Sequence, residues 1–230
     1  MRISGRSLLV FSAVFSATLL LVASPVRAQI SSKQIRDRYD RQTKGGTKLE
    51  DFVKKLDNTD PEVRLEGVKS LGDSKENKAI PYLIQAVGDS DMRVKAKAID
   101  VLGALRADDA TPVLVQYLFL RTTDPLLMQR ILASLGKIGD PRGAQPIVEL
   151  LQRDLDPDTR GTAIFALGEI GAPEALDSLT QIAKTDGDAT LRRLANEAAA
   201  KVRQHQAIIK SEAKEPPATF LKPDKPQEKE

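Results

Sequence analysis

The sequence predicts an all-α protein, a right-handed α-solenoid of stacked helix-turn-helix repeats, and three columns of residues predict it. Asp60, Asp91, Asp124, Asp156 and Asp188 recur at intervals of 31, 33, 32 and 32 residues. Eleven positions after the first four stand Leu71, Leu102, Leu135 and Leu167. Each leucine is followed by a glycine: Gly72, Gly103, Gly136 and Gly168. Self-similarity at a fixed period of roughly 20 to 50 residues is the mark of a repeat array, in which each unit leans on its neighbours.

Residues 1–28 stand apart from the array and read as an export signal. Arg2 and Arg6 supply a positive start, Leu8 to Val22 is an apolar run, and Val26-Arg27-Ala28 places small residues where a signal peptidase reads. Cleavage is expected after Ala28, leaving an exported protein, periplasmic or secreted. The competing reading is an uncleaved anchor, since Leu8 to Val26 is just long enough to cross a bilayer. The segment holds Arg2, Arg6 and Arg27 and no acid, so the net charge of +3 belongs to it, and the remainder balances 32 basic against 32 acidic residues. A neutral chain has no electrostatic footprint for nucleic acid, and none is expected as a partner. Without cysteine there is no lipid attachment and no disulfide. Stability has to come from packing.

Residues 29–57 are expected to cap the stack. Thr47-Lys48-Leu49-Glu50 matches a capping box, and Leu49, Phe52, Val53 and Leu56 make the apolar face of the helix that it opens. Ile35 and Tyr39 mark a partner helix before Gly45-Gly46.

The repeats themselves fill residues 58–205, with units near 58–88, 89–122, 123–154 and 155–187 and a half unit at 188–205. The aspartate of each unit is placed to cap a helix, and proline takes the first helical position at Pro61, Pro125 and Pro157. Apolar residues follow three, seven, eight and eleven places later: Val94, Ala98, Ile99 and Leu102 in the second unit, Leu127, Ile131, Leu132 and Leu135 in the third. That spacing puts them on one face of a helix of about three turns, which the glycine after the leucine is expected to end. A second helix begins at Ala79-Ile80-Pro81, Ala110-Thr111-Pro112 and Ala144-Gln145-Pro146, with Asp177 in place of the proline in the fourth unit. Isolated helices this short are marginal in water, so the units must stack to bury their leucines.

In its succession of D-P-x-V-R, then L-G-x-I-G, then A-x-P-x-L, the chain resembles the short HEAT-like repeat first associated with phycobilisome bilin lyases. The resemblance runs from about Asp60 to Ala183, with a half unit to Arg203. It implies a helical solenoid and leaves several functions open, because similar proteins include binding scaffolds, regulatory arms of enzymes and a few chromophore lyases. One departure is Met128, which stands where the other units have Arg64, Lys95, Arg160 and Arg192. Any ladder of charged pairs along the stack should break there.

The half unit opens one longer helix, Ala189 to about Ile209, with Asn196 in a column held elsewhere by Val68, Ile99, Leu132 and Ile164. A polar residue there suits a last helix with no further neighbour. From Lys210 to residue 230 the chain holds Pro216, Pro217, Pro223 and Pro226 among mixed charges, the composition of a disordered tail.

Motifs for chemistry are incomplete. Gly136-Lys137 lacks the serine or threonine and the preceding strand of a phosphate loop. Ser134-Leu135-Gly136-Lys137 spells the serine and lysine of a penicillin-binding site, without its companion motifs and in a column shared with Ser70, Val101 and Ala166. His205 is the one histidine, so a triad or zinc site would lack parts. Asp154, Asp156 and Asp158, like Asp186 and Asp188, lack the glycine and distal glutamate of a calcium loop and are expected to be helix caps. No catalytic residue, metal or cofactor is therefore expected.

The function expected is a non-catalytic scaffold in the cell envelope, monomeric and without a membrane span once the signal is cleaved, that binds a protein on its concave face. Second helices line that face in stacks of this kind. Their outward positions give Tyr82, Gln85, Gln116, Tyr117, Glu149, Arg153 and Gln181 as the partner-binding set. Tyr117-Leu118-Phe119-Leu120 adds more apolar surface than one helix face needs, shared between core and surface. The alternative is an enzyme or enzyme subunit, lyase or isomerase in type, which the resemblance permits.

Overall fold

The computed structural model describes residues 47–212; the export segment with its cleavage site, the helix expected around Ile35 and Tyr39, and residues 213–230 lie outside the described residues. Among the described residues the chain is a series of helices without strands. α1 (Thr47–Leu56) turns Leu49, Phe52, Val53 and Leu56 onto the core, as its spacing predicts. Four helix pairs follow. Their first helices are α2 (Pro61–Ser74), α4 (Met92–Ala104), α6 (Pro125–Ile138) and α8 (Pro157–Ile170). Their second helices are α3 (Ile80–Ala86), α5 (Thr111–Leu118), α7 (Ala144–Leu150) and α9 (Leu176–Thr185), each entered through one turn of 3₁₀ helix. The half unit is α10 (Ala189–Glu212). First helices stack on one another from α1 to α10, and each second helix packs on the first helix that follows it. This is an all-α repeat solenoid.

All five repeat aspartates act as caps. Carboxylates of Asp60, Asp91, Asp124, Asp156 and Asp188 accept hydrogen bonds from the backbone N–H of Glu62, Arg93, Leu126, Thr159 and Thr190 at 2.6 to 2.9 Å. These amides have no partner inside their own helix, so the side chain supplies one. The Asp156 carboxyl is held below its ordinary range by hydrogen bonds from Thr159. Behind the caps of the second and third units the residues three, seven, eight and eleven places on are buried: Val94, Ala98, Ile99, Leu102, Ile131 and Leu132 are fully excluded from solvent, and Leu127 and Leu135 nearly so. At about 1.5 to 3 kcal/mol for each large side chain, this continuous seam is what holds units too small to fold alone. Asn196 is exposed on α10, while Val68, Ile99, Leu132 and Ile164 of its column are buried.

The glycines expected to end the first helices do not end them. Gly72, Gly103, Gly136 and Gly168 lie inside α2, α4, α6 and α8, which continue past them by one or two residues. The stop in α6 and α8 is the next glycine of the phrase. Gly139 (φ 74°) and Gly171 (φ 70°) take the left-handed conformation and donate to Leu135 O and Leu167 O at 3.0 and 3.1 Å. The inner glycines answer to packing. A Cβ there would stand 2.8 Å from Val101 Cγ1, 2.8 Å from Ser134 Oγ, 3.1 Å from Ala166 Cα and 2.9 Å from Ala198 Cα, in each case a residue of the next first helix. At Gly103, Gly136 and Gly168 the near atoms include the neighbour's backbone Cα, and at Gly72 they are the branched Val101 side chain, so glycine provides the room for this close approach. Ser134 is thereby explained: it is buried against Gly103 and its hydroxyl donates to Ile99 O at 3.0 Å, which makes it a packing residue.

The charged ladder joins one unit's helix to the next unit's loop. Arg64 Nε and Nη2 donate to Asp89 at 2.8 and 2.9 Å, and the pair is partly buried. The guanidinium holds the Asp89 carboxyl below its ordinary range, against the opposing effect of burial. Arg160 pairs with Asp186 in the same register. Between these rungs the ladder fails twice, at Met128 as predicted and also at Lys95, because the position matching Asp89, two residues before the third cap Asp124, is Thr122. α6 is tied to its neighbours by other links: Ser134 to Ile99 O, Gln129 Nε2 to Thr159 Oγ1 at 3.1 Å, and Arg130 to Asp100 at 2.7 Å.

Candidate functional site

The second helices are short because little of each is needed. In α3, Ile80, Leu83, Ile84 and Ala86 go inward, and in α5 Leu114 and Leu118 do so. What remains faces out. Gln85 on α3, Gln116 on α5, Glu149 on α7 and Gln181 on α9 are exposed, as is Arg153 just beyond α7, whereas Tyr82 and Tyr117 are half-buried with their rings packed on the core. Every residue expected at this surface reaches solvent at least in part.

The structure brings some of them together. The Tyr117 hydroxyl reaches back to the end of the preceding unit, where it and the Gln85 carbonyl oxygen both lie 3.4 Å from the place of a Cβ on Gly88. The Arg153 guanidinium lies over the Phe119 ring, 4.6 Å from its centre, tying the third unit's surface to the second's. Thr123 Oγ1 donates to Tyr117 O at 2.6 Å and fixes the chain as it leaves α5. Gln85, Gly88, Tyr117, Phe119 and Arg153 thus form one run across three units. Glu149 stays outside this run, and Gln181 hydrogen-bonds within its own helix, to Thr185. The apolar excess of Tyr117 to Leu120 divides between roles: Leu118 is core, Tyr117 and Phe119 are half-buried, and Leu120 is 41% exposed. Phe119 belongs to the surface although its place in the run does not separate it from core.

A second exposed feature lies on the first helices, where Phe165 of α8 is 49% exposed and Lys201 sits 5.1 Å from its ring centre. Its signal in the sequence is a break of column, since Lys69, Asp100 and Ala133 hold the matching positions. His205 is exposed on α10 and its imidazole fills the space beside Gly171. Among the described residues there is no group of acids and histidine that could hold a metal ion, and no helix long and apolar enough to cross a membrane.

Comparison with known proteins agrees with this architecture. The family model for HEAT repeats matches residues 49–119, 83–164 and 117–200. None of the curated proteins matches the chain in sequence. Among solved structures, the complex of CpcE and CpcF of phycocyanin lyase from Nostoc sp. PCC7120 is similar, with 21% identity, a TM-score of 0.56, and coverage of 72% of this chain and 69% of that one. A designed armadillo repeat protein is similar at 15% identity and a TM-score of 0.45, covering 78% of this chain and 96% of the other. With overlapping matches that span the stack from α1 into α10, the chain belongs to the HEAT-repeat family.

Proposed function

We propose that this protein is a non-catalytic scaffold of the cell envelope that binds a protein partner across the second helices, with Tyr82 and Tyr117 as its anchors. The observation that carries the reading is the run from Gln85 through Tyr117 and Phe119 to Arg153. It sets half-buried aromatic rings beside the Gln85 backbone carbonyl and the Arg153 guanidinium on three successive units. Partly exposed aromatics and arginine held rigid by core packing are the composition of a binding hot spot. Location in the envelope is supported by the signal-like pattern of residues 1–28. The test is a pull-down from the envelope fraction with the mature chain and with a Tyr82→Ala, Tyr117→Ala double variant whose fold is checked by circular dichroism. Loss of a specific partner is expected, and a folded double variant that keeps every partner rejects the surface. N-terminal sequencing of the exported chain should begin at Gln29; an intact Met1 rejects cleavage.

A lyase-type subunit is the second reading, favoured by the structural likeness to a phycocyanin lyase complex. A visible absorption band on the protein purified from its native cells would support it over the scaffold.

A further inference from the structure

A groove runs between α8 and α10 on the first helices, apart from the second-helix surface and independent of the reading above. Gly161 opens it, in a column filled elsewhere by Leu65, Ala96 and Gln129. Leu191 and Leu194 line it beside Gly161, and Phe165 walls one side with half its surface in solvent. The two ends differ in charge. At the N-terminal ends of the helices Asp158 and Asp188 are exposed, and among the described residues neither has an ion-pair partner. At the other end Lys201 is already paired with Glu169. The carboxylates that lack a cation partner, Asp188 being also the cap of α10, lie at one end of the groove.

Such a groove fits an apolar side chain followed by cations. The chain carries that order after α10, in Phe220-Leu221-Lys222-Pro223-Asp224-Lys225, and Phe220 and Leu221 are the only large apolar residues from Lys210 onward. We propose that Phe220 and Leu221 of the same chain dock in the groove against Phe165, with Lys222 and Lys225 directed to Asp158 and Asp188. Reach and direction both agree. The stretch of α10 from Glu212 back to Lys201 is about 17 Å and to Leu194 about 27 Å, at a rise of about 1.5 Å per residue. The eight residues from Glu212 to Phe220 span about 25 Å at the roughly 3.1 Å per residue of a proline-rich segment. That contour exceeds the distance of about 17 Å back to Lys201, which lies over the Phe165 ring, and so puts Phe165 within reach of Phe220 with chain left for the reversal after Glu212. A segment returning along α10 then carries its lysines towards the end of the groove where Asp158 and Asp188 stand without a cation partner among the described residues.

The protein has no tryptophan, so Phe220→Trp in the full chain is a single reporter. Docking gives a blue-shifted emission, protected from iodide quenching and independent of protein concentration. Adding Gly161→Leu to fill the groove, or Phe165→Ser to remove its wall should that first variant unfold, returns the emission to that of exposed indole. Three outcomes overturn the proposal: exposed emission from Phe220→Trp alone, a blue shift that survives both groove variants, or one that grows with concentration, which would make a second copy the occupant.

Discussion

Gly168 shows how one residue's environment reverses its expected effect. Alanine in a helix interior is ordinarily favoured over glycine by about 1 kcal/mol. Here a methyl would stand 2.9 Å from both Cα and Cβ of Ala198, and the backbone of α10 has no rotamer with which to yield. Gly168→Ala is therefore expected to destabilise, by about 1 to 3 kcal/mol as an overpacked substitution, and urea unfolding measures it. Gly139→Ala should also lose stability, though for a different cause: the space around it is open, but φ 74° costs an L-residue about 1 to 2 kcal/mol. Leu135 and Lys137 make the complementary pair. Leu135→Ala empties a buried site and should cost about 2 to 5 kcal/mol, whereas the exposed Lys137→Ala should change stability by less than about 0.5 kcal/mol.

At the scale of elements, the ladder rungs can be tested one at a time. Asp89 has its carboxyl held low by Arg64, so the stability it contributes is complete above the ordinary carboxylate pKa of about 4 and is lost as pH falls through the lower folded value. The difference in melting temperature between the native chain and Asp89→Asn should be constant from neutral pH to about pH 5 and should shrink steadily below about pH 4. Rungs can also be added. Thr122→Asp places a carboxylate in register with Lys95, and Met128→Arg places a guanidinium in register with Asp154. Each should raise stability by about 0.2 to 1 kcal/mol at low salt, with the gain falling as salt is added. Failure of both would mean that α6, tied to its neighbours through Ser134, Gln129 and Arg130, is held away from ladder register.

For the whole molecule the period predicts modularity. Deleting Asp91 to Thr123 removes one complete unit and joins Ser90 to Asp124. Gly72 then meets Ser134 in place of Val101, the same contact that Gly103 makes in the native chain, and Asp89 keeps its place before the next cap. A shorter helical protein with one thermal transition is expected. Deleting only Asp91 to Gly103 removes α4, the helix on which α3 packs and against which α2 and α6 stack, and so opens a gap in the stack. That variant should be unfolded or strongly destabilised by circular dichroism, and equal behaviour of the two deletions would contradict modular stacking.

What the sequence determined by itself is the period and everything local to it. Five caps, the buried columns behind them and the short second helices after alanine were all legible, because a capping carboxylate and an apolar stripe act within a few residues of themselves. The glycine of the Leu-Gly phrase was not legible in the same way. A glycine near a helix end reads as a stop, and only the crossing of the next first helix, about thirty residues further along the chain, shows that Gly72, Gly103, Gly136 and Gly168 serve close approach while Gly139 and Gly171 are the stops. The same holds for the surfaces. Outward positions on a helix follow from its periodicity, but the meeting of Tyr117 with Gly88, of Arg153 with Phe119 and of Phe165 with the gap at Gly161 depends on how adjacent units are set against each other. Contacts between units are set by side-chain packing over distances that no spacing within one unit records, so they belong to the tertiary structure alone.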